Sequence, residues 1–291
     1  MNRLQCVFKI PSLLGECPLW APTEQVLYWI DILKGLVHRF DPSINQNQTI
    51  QLHQLVSSIG HSQENKLILT LRKQIALLDL KSHQLSPIAE VEQNLPDNRF
   101  NDGKCDRLGN FWCTSMNQKE LHKDSAGLYR IDRERRVKQM ESHVILGNGM
   151  AWSPDNRTFY FTQTLRYTIF AYDFDPATCA IGNRREFAKF QPTPVGGPDG
   201  LTVDEEGCLW SAHYGSSAVH RFDSSGKLLQ TIELPVPRVT SIAFGGRNLE
   251  TLYITTAQEG MTPEELKKYP LSGSLFAVDV KARGLPEPMF G

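Results

Sequence analysis

The feature that most constrains the fold is a pairing that recurs six times: a polar residue and, eleven positions later, a large apolar residue, with a turn sequence between them. In the fifth unit the pair is Asp199 and Trp210 with the turn "DEEG"; in the third it is Asn101 and Trp112 with "DRLG". The units begin at Glu16, Ser58, Asn101, Asn148, Asp199 and Ser241. Their period of about 40–50 residues is the size of one four-stranded propeller blade, so six units predict six blades.

The rest of the chain consists of short apolar runs such as "QVLYWIDI", "KLILTL" and "GNFWCTSM", separated by Gly, Asp, Asn and Pro. One segment favours a helix, "TPEELKKY", with Thr262 as its N-cap. The Asp that recurs before outer turns, as in "LVHRFDP" and "AVHRFDS", is predicted to be structural. We therefore predict an all-β, six-bladed β-propeller with four-stranded antiparallel blades around a central channel, forming a single domain over residues 1–291.

Charge and cysteine usage narrow the possible partners. The 31 Lys and Arg nearly balance the 32 Asp and Glu, which predicts no nucleic-acid partner and no anionic membrane surface. No apolar run approaches the length of a membrane span, and the N-terminus has no signal-peptide pattern. The six scattered cysteines are typical of reduced thiols. We expect a cytoplasmic protein that is a monomer or a weak dimer.

The first residue of each unit is the first candidate for function. If the first strand of each blade lines the channel, these six residues form a ring, and every one of them carries an oxygen. Oxygen ligands without His or thiolate favour Ca²⁺, Mg²⁺ or Mn²⁺, with Zn²⁺ possible. Glu16 and Asp199 would supply charge and Asn148 a carbonyl oxygen. The alternative is that these polar groups hold only ordered water.

The second strand of each blade returns to the same end of the channel. Residues fourteen to sixteen after each ring position are therefore expected at the rim of the pocket. They are Asp31, Arg72, Met116, Asn117, Gln163, His213 and Tyr214. His213 could act as an acid or base, or it could simply pack. Arg99 lies two residues before Asn101, on the same side of its strand, and could bind substrate oxygens or merely neutralise Asp97.

Five segments in order, "GECPLW", "NRFNDGKCDRLGNFW", "GNGMAWSPDNRTFYFT", "GGPDGLTVDEEGCLW" and "TSIAFGG", resemble the senescence marker protein / gluconolactonase / regucalcin-like family. The resemblance runs from about residue 10 to the C-terminus. It implies a six-bladed propeller with one divalent cation in its channel and, for most characterised members, sugar lactonase activity. It places the metal ligands at Glu16, Asn148 and Asp199, and substrate contacts at Arg99 and Asn101.

The rim departs from the family pattern at three positions. Lys119 stands where a substrate-contacting Glu would align, Gln163 replaces an acid, and His213 replaces a Cys. Lys119 and His213 are therefore candidate substrate contacts. These departures leave the metal ligands intact, and they put the identity of the substrate in doubt.

These observations predict a metal-dependent hydrolase that opens a sugar (aldono-) lactone to its aldonic acid. One divalent cation (Ca²⁺, Zn²⁺, Mg²⁺ or Mn²⁺) would polarise the ring carbonyl, and Asp199 would be the catalytic carboxylate that moves the proton. The partner would be a small-molecule sugar lactone. Two alternatives stay open: a calcium-binding regulatory propeller without catalysis, and another metal-dependent esterase on the same site.

Overall fold

A computed structural model describes residues 4–193 and 195–291. These residues form a six-bladed β-propeller, as the repeat predicts. The chain begins with β1 (Gln5–Phe8), and blade 1 consists of β2 (Gly15–Ala21), β3 (Val26–Asp31), β4 (Leu36–Asp41) and β5 (Gln46–Gln51). Blade 2 consists of β6 (Ser58–Ser62), β7 (Lys66–Thr70), β8 (Gln74–Asp79) and β9 (Leu85–Glu90). Blade 3 consists of β10 (Asn98–Cys105), β11 (Phe111–Asn117), β12 (Ala126–Ile131) and β13 (Val137–Val144).

The second half repeats this arrangement. Blade 4 consists of β14 (Gly147–Trp152), β15 (Thr158–Gln163), β16 (Thr168–Asp175) and β17 (Ala180–Lys189), with a 3₁₀ turn at Thr164–Arg166. Blade 5 consists of β18 (Pro198–Val203), β19 (Leu209–His213), β20 (Ala218–Phe222) and β21 (Leu228–Glu233). Blade 6 contains β22 (Val239–Gly245), β23 (Thr251–Thr256) and β24 (Leu275–Asp279). The helix α1 (Pro263–Lys268) connects β23 to β24, and its capping box between Thr262 and Glu265 confirms the predicted N-cap.

The N-terminal strand closes the ring of blades. β1 pairs with β24 in antiparallel register, Gln5 opposite Ala277, and so supplies the outermost strand of blade 6. The six-unit repeat, which begins at Glu16, includes no strand in this position. The last blade is therefore built from both ends of the chain, and the pairing fixes blade 6 beside blade 1.

A β-bulge recurs in five of the six innermost strands of the described chain. Each bulge lies at or just after the polar residue that begins the repeat, as between Gly147 and Met150 in β14 and between Pro198 and Leu201 in β18. The same irregularity occurs in β2, β10 and β22. Blade 2 keeps an unbroken register, Ser58 opposite Thr70. A bulge re-aims a side chain locally, so these irregularities turn the repeat's polar residues toward the channel.

The apolar residues of the repeat form the packed layers between blades. Trp112 and Trp210 are fully buried, and Trp112 contacts Trp152 and Phe159 of blade 4 with ring centroids 5.7 and 5.2 Å apart. Their polar indole groups are satisfied by the Asp of the preceding turn: Trp112 donates to Asp106 at 2.7 Å. Trp210 donates in the same way to Asp204 at 2.9 Å. The Asp at these inner hairpin turns therefore also has a structural role.

The C-terminal segment crosses the end of the channel remote from the ring residues. β25 (Met289–Phe290) pairs in parallel with β6, and Glu287 forms an ion pair with Lys104 at 2.9 Å. Glu287 also lines a small cavity together with Leu19 and Ile242, which lie beyond the ring residues on their strands. The channel is thus covered at this end. Among the described residues no helix is long and apolar enough to span a membrane.

Replacing Asp106 with Ala should lower the free energy of unfolding by about 3 kcal/mol, because it leaves the buried indole N–H of Trp112 without an acceptor. Asp106 also accepts from the backbone amides of Leu108 and Asn110. Urea denaturation monitored by tryptophan fluorescence measures the change. Asp223→Ala, at an exposed turn, is the matched control and should cost less. Equal losses would contradict the role assigned to the buried contact.

Candidate functional site

Four of the six ring residues line one cavity of about 370 Å³ at the open end of the channel: Glu16, Asn101, Asn148 and Asp199. A volume of this size suits a small-molecule ligand. The two serines do not reach it. The hydroxyl of Ser58 forms a hydrogen bond with Thr70 at 2.6 Å, and Ser241 faces the smaller cavity beyond the ring. The predicted ring is therefore a polar set from four blades.

Glu16 is held by an unusual backbone conformation at the start of blade 1. The next residue, Cys17, has a φ of 47°, in the left-handed region that a residue with a Cβ rarely adopts. In this conformation the backbone N–H of Cys17 donates to the Glu16 carboxylate at 3.0 Å. Strain of this kind persists where the surrounding structure fixes it, and it concentrates at functional sites.

The amide of Asn148 is oriented by neighbours on both sides. Its Oδ1 accepts from Asn101 Nδ2 at 2.7 Å, and its Nδ2 donates to Thr164 Oγ1 at 2.7 Å. The Thr164 hydroxyl in turn donates to the carbonyl of Pro198 at 2.8 Å. Arg99 Nη1 donates to Asn101 Oδ1 at 3.0 Å and completes the network. These bonds join blades 3, 4 and 5 and fix the Asn148 carbonyl oxygen beside the cavity.

Asp199 is buried, and its Oδ1 has no hydrogen-bond partner among the described residues. Burial, followed by the negative charge of Glu16, raises the pKa of Asp199 well above 3.8. Burial, followed by the charge of Asp102, likewise raises the pKa of Glu16 well above 4.5. Two buried carboxylates that repel each other are costly when ionised unless a positive charge lies between them.

The residues present fit a hard divalent cation. Glu16, Asn148 and Asp199 offer two carboxylates and an amide carbonyl, an all-oxygen set, and one of these oxygens lacks any other partner. A second acidic cluster, Asp204 with Glu206, differs in this respect. Arg221 donates to Asp204 at 2.7 Å and to Glu206 at 2.6 Å, so both carboxylates of that cluster already have a positively charged partner.

Arg99 lies where substrate oxygens can be reached. It lines the cavity, is only 7% exposed, and donates to the carbonyl of Phe100 at 2.8 Å. Burial lowers the pKa of Arg99 to about 10, so its guanidinium stays charged at neutral pH. The alternative that it neutralises Asp97 finds no support, since Asp97 pairs with Lys119 at 2.6 Å instead.

The structure does not bring Lys119 and His213 to the cavity. The Lys119 side chain is 71% exposed and is held on Asp97, outside the lining. His213 is buried, and its ring packs edge-on against Phe190 and His220, with centroids 4.5 and 4.4 Å apart. Burial lowers the pKa of His213 to about 3, so it stays neutral. Consecutive strand residues point to opposite sides, so Tyr214 faces the cavity and His213 faces away.

Of the other rim candidates, Met116 and Tyr214 line the cavity. Asp31, Arg72, Asn117 and Gln163 do not. The lining residues that the sequence interpretation missed include Thr164, Leu165, Arg238 and Glu259. A signal for Arg238 existed, because "PRVTS" places an Arg three residues before Ser241, much as "NRFND" places Arg99 two residues before Asn101.

Comparison with known proteins agrees with the propeller fold. Residues 14–258 match the family model described as SMP-30/Gluconolactonase/LRE-like region. The chain is 39% identical to a 6-deoxy-6-sulfogluconolactonase of Pseudomonas putida, covering 100% of this chain and 99% of that one. It is 34% identical to regucalcin of Gallus gallus, covering 98% and 97%. A solved structure of a calcium-binding protein, regucalcin, of Agrobacterium tumefaciens has a TM-score of 0.94 at 25% identity, covering 100% of this chain and 98% of that one.

A divalent cation should stabilise the metal-free protein, because it offsets the repulsion between buried carboxylates. At 100 times its dissociation constant the gain is about 2.7 kcal/mol, which raises the melting temperature by roughly 5 °C. Both folded-state pKa values are raised, so ionisation costs stability as the pH rises above about 4. The gain should therefore be larger at pH 8 than at pH 5, as measured by thermal unfolding after chelation and repletion.

Two variants locate this effect. Asp199→Asn should remove most of the cation-dependent stabilisation, whereas Glu206→Gln, in the Arg221-paired cluster, should leave it intact. If Glu206→Gln abolishes the shift and Asp199→Asn does not, the ion binds at the other cluster and the assignment is wrong.

Proposed function

Because the chain belongs to the SMP-30/gluconolactonase/LRE-like family, we propose that it is a hydrolase that opens a sugar lactone to the aldonic acid with one divalent cation. The observation that carries this proposal is the buried Asp199 carboxylate. It has an unpartnered oxygen beside Glu16 and Asn148 in a cavity of small-molecule size. The names of relatives, gluconolactonase and sulfogluconolactonase, support an aldonolactone as substrate.

Glu16, Asn148 and Asp199 are the residues that would hold the cation. Such an ion, when bound, polarises a carbonyl and makes water a better nucleophile near neutral pH. Glu16 and Asp199 provide the charge that retains it, while Asn148 adds a neutral oxygen without further repulsion. Ca²⁺, Mg²⁺, Mn²⁺ and Zn²⁺ are all compatible with this donor set.

Asp199 is the residue in position to move the proton. One oxygen of its carboxylate would accept a proton from the water as the water oxygen bonds to the lactone carbonyl carbon, while the other is available to the cation. When the bond from that carbon to the ring oxygen breaks, Asp199 returns the proton to the ring oxygen. The product is an open-chain acid with a new hydroxyl group, and Asp199 ends in its starting state.

Arg99 and Asn101 orient the sugar. The Asn101 side chain is fixed by three bonds, to Arg99, to Asn148 and to the carbonyl of Gly147 at 2.9 Å. Arg99 retains guanidinium N–H groups beyond those used for Phe100 and Asn101, and these can donate to substrate hydroxyl oxygens. A pre-oriented pair of this kind favours one substrate pose without a further entropic cost. Lys119 and His213, which lie outside the cavity, have no place in this proposal.

The second candidate is a calcium-binding propeller without catalysis, which relatives named regucalcin support. In that case the cation would be structural, and its removal would change stability without any effect on lactones.

We also propose a cytoplasmic location, because all six cysteines are free thiols. The expectation of a monomer or weak dimer stays a prediction.

Asp199→Asn should lower the rate of lactone opening by about 10³-fold, because an amide cannot accept and return the proton. Opening releases a proton at neutral pH, so a pH-stat assay with D-glucono-1,5-lactone and other aldonolactones measures it against the uncatalysed rate. The matched control is Asp102→Asn. Asp102 is a carboxylate near Glu16 that does not line the cavity and accepts from Cys17 at 3.2 Å. That variant should keep a rate within about tenfold of the parent.

The chelated protein completes this test. Loss of hydrolysis on chelation, with recovery on adding one divalent cation, supports the enzyme. A protein that binds the cation yet opens no lactone in the whole panel would favour the calcium-binding alternative. Retention of most activity in Asp199→Asn would contradict its catalytic role.

A further inference from the structure

Two buried guanidinium groups line the cavity from opposite sides. Arg99 precedes the ring residue of blade 3, and Arg238 lies just before β22 of blade 6. Blades 3 and 6 are three positions apart in a ring of six, so their innermost strands face each other across the channel. The first arginine belongs to the hydrogen-bond network described above. The second does not.

Arg238 is 8% exposed and fixed by neutral groups alone. Its Nη1 donates to the Tyr214 hydroxyl at 3.1 Å, and its Nη2 donates to the carbonyl of Gly260 at 2.9 Å. The guanidinium lies over the Tyr214 ring, 5.6 Å from its centroid. These bonds occupy two of its five N–H groups. Among the described residues no carboxylate lies within 4.0 Å of Arg238 or of Arg99.

An unpaired buried guanidinium is costly, because burial removes its hydration without supplying a counter-ion. Another sheltered arginine, Arg221, does have such a counter-ion, since it pairs with Asp204 at 2.7 Å. Glu259 also lines the cavity but is exposed and beyond ion-pair distance of Arg238. The anion that would compensate Arg238 must therefore come from outside the chain.

The net charge of the cavity also indicates an anionic ligand. Among the described residues its charged lining consists of the three carboxylates of Glu16, Asp199 and Glu259 and the two guanidiniums of Arg99 and Arg238. Three negative and two positive charges sum to −1, and a bound divalent cation changes this to +1. A neutral lactone would leave that excess uncompensated, whereas a lactone with one acidic substituent would balance it.

We infer that Arg238, held in place by Tyr214, binds an acidic substituent of the lactone, a sulfonate, phosphate or carboxylate. This inference rests on the proposed function and names its substrate class. Arg238 lies three residues before Ser241, up to about 10 Å nearer the mouth of the cavity than the ring. The acidic group is thus on the end of the sugar remote from the carbonyl, where a planar guanidinium can form a bidentate contact.

The test compares the kcat/KM of D-glucono-1,5-lactone with those of its 6-sulfonate and 6-phosphate forms and of a lactone with a terminal carboxylate. We expect the protein to favour at least one acidic lactone by tenfold or more, and the most favoured acid identifies the group. Arg238→Gln should lower the acidic-to-neutral ratio by about 10- to 100-fold, as expected for losing a buried charged hydrogen bond. Arg238→Lys, which keeps the charge but not the planar fork, should restore part of it.

Arg247→Gln is the matched control, since Arg247 is an exposed arginine of the same blade and does not line the cavity. It should leave the ratio unchanged. Melting temperatures identify any variant that fails to fold. If Arg238→Gln is one of them, the acidic-to-neutral ratio of Arg238→Lys is compared with that of the parent protein instead. A parent protein that prefers the neutral lactone, or an Arg238→Gln ratio equal to that of the parent, would overturn the inference while leaving the lactonase proposal standing.

Calorimetric titration separates the two proposals. The open-chain acids gluconate and 6-phosphogluconate, together with the 6-sulfonate of gluconate, are titrated into the metal-loaded protein and into Arg238→Gln. Tighter binding of an acid-substituted form, lost in Arg238→Gln, supports the site even if no lactone is turned over. Equal affinity for gluconate and both substituted forms rejects it, whatever the hydrolytic activity.

Discussion

Closure of the ring of blades is the constraint on which the rest of the structure depends. Glu16 and Asp199 are 183 positions apart in the chain, and they meet only because β1 pairs with β24 and joins blade 6 to blade 1. The cavity then takes side chains from five blades. No blade alone could build it, and no local sequence pattern encodes it. The bulges on the innermost strands give the closed ring its polar lining.

The carboxylates of this chain fall into two physical classes. Asp106 and Asp204 are buried and fully used: each accepts from turn amides and from an indole N–H. The hydrogen-bonding capacity of these two side chains is satisfied by the fold itself. Asp199 is equally buried but has a free oxygen and an acidic neighbour. The fold thus satisfies the acids of its turns and leaves an oxygen of Asp199, in its channel, without a partner from the described residues.

The repeat frame predicts the blades and the cavity-lining positions of Glu16, Asn148 and Asp199, because these depend on spacing that is regular in the sequence. The capped helix follows instead from the local segment "TPEELKKY". The errors of the repeat frame occur where that regularity ends. An offset of fifteen residues from the ring correctly places Met116 and Tyr214 at the cavity. An offset of fourteen reaches His213, whose side chain points to the opposite side of the strand, away from the cavity. In blade 4 the lining residue is Thr164, because the hairpin between β14 and β15 is one residue longer: Gly147 pairs with Gln163, whereas Pro198 pairs with His213 in blade 5.

The features that the sequence did not predict depend on contacts between distant segments. The outer strand of blade 6 comes from the N-terminus, and Lys119 is drawn to Asp97 rather than into the cavity. Arg238 was missed because its importance lies in the absence of a counter-charge, and only three-dimensional proximity shows which acids are near. Spacing reveals which residues share a face, whereas the state of charge of a cavity depends on the whole set that lines it.

One-sided access follows from the C-terminal segment. Glu287 and β25 cover the channel beyond the ring, so under the proposed function a substrate would enter and its product would leave by the mouth that Arg238 occupies. Opening a lactone creates a carboxylate, and the product therefore carries one more negative charge than the substrate. With the proposed cation bound, the charged lining and a singly acidic lactone sum to zero, so the new carboxylate leaves one negative charge in excess, while Arg238 still attracts the substituent already present. A cavity of mixed charge can in this way hold an acidic lactone and yet release a doubly acidic product.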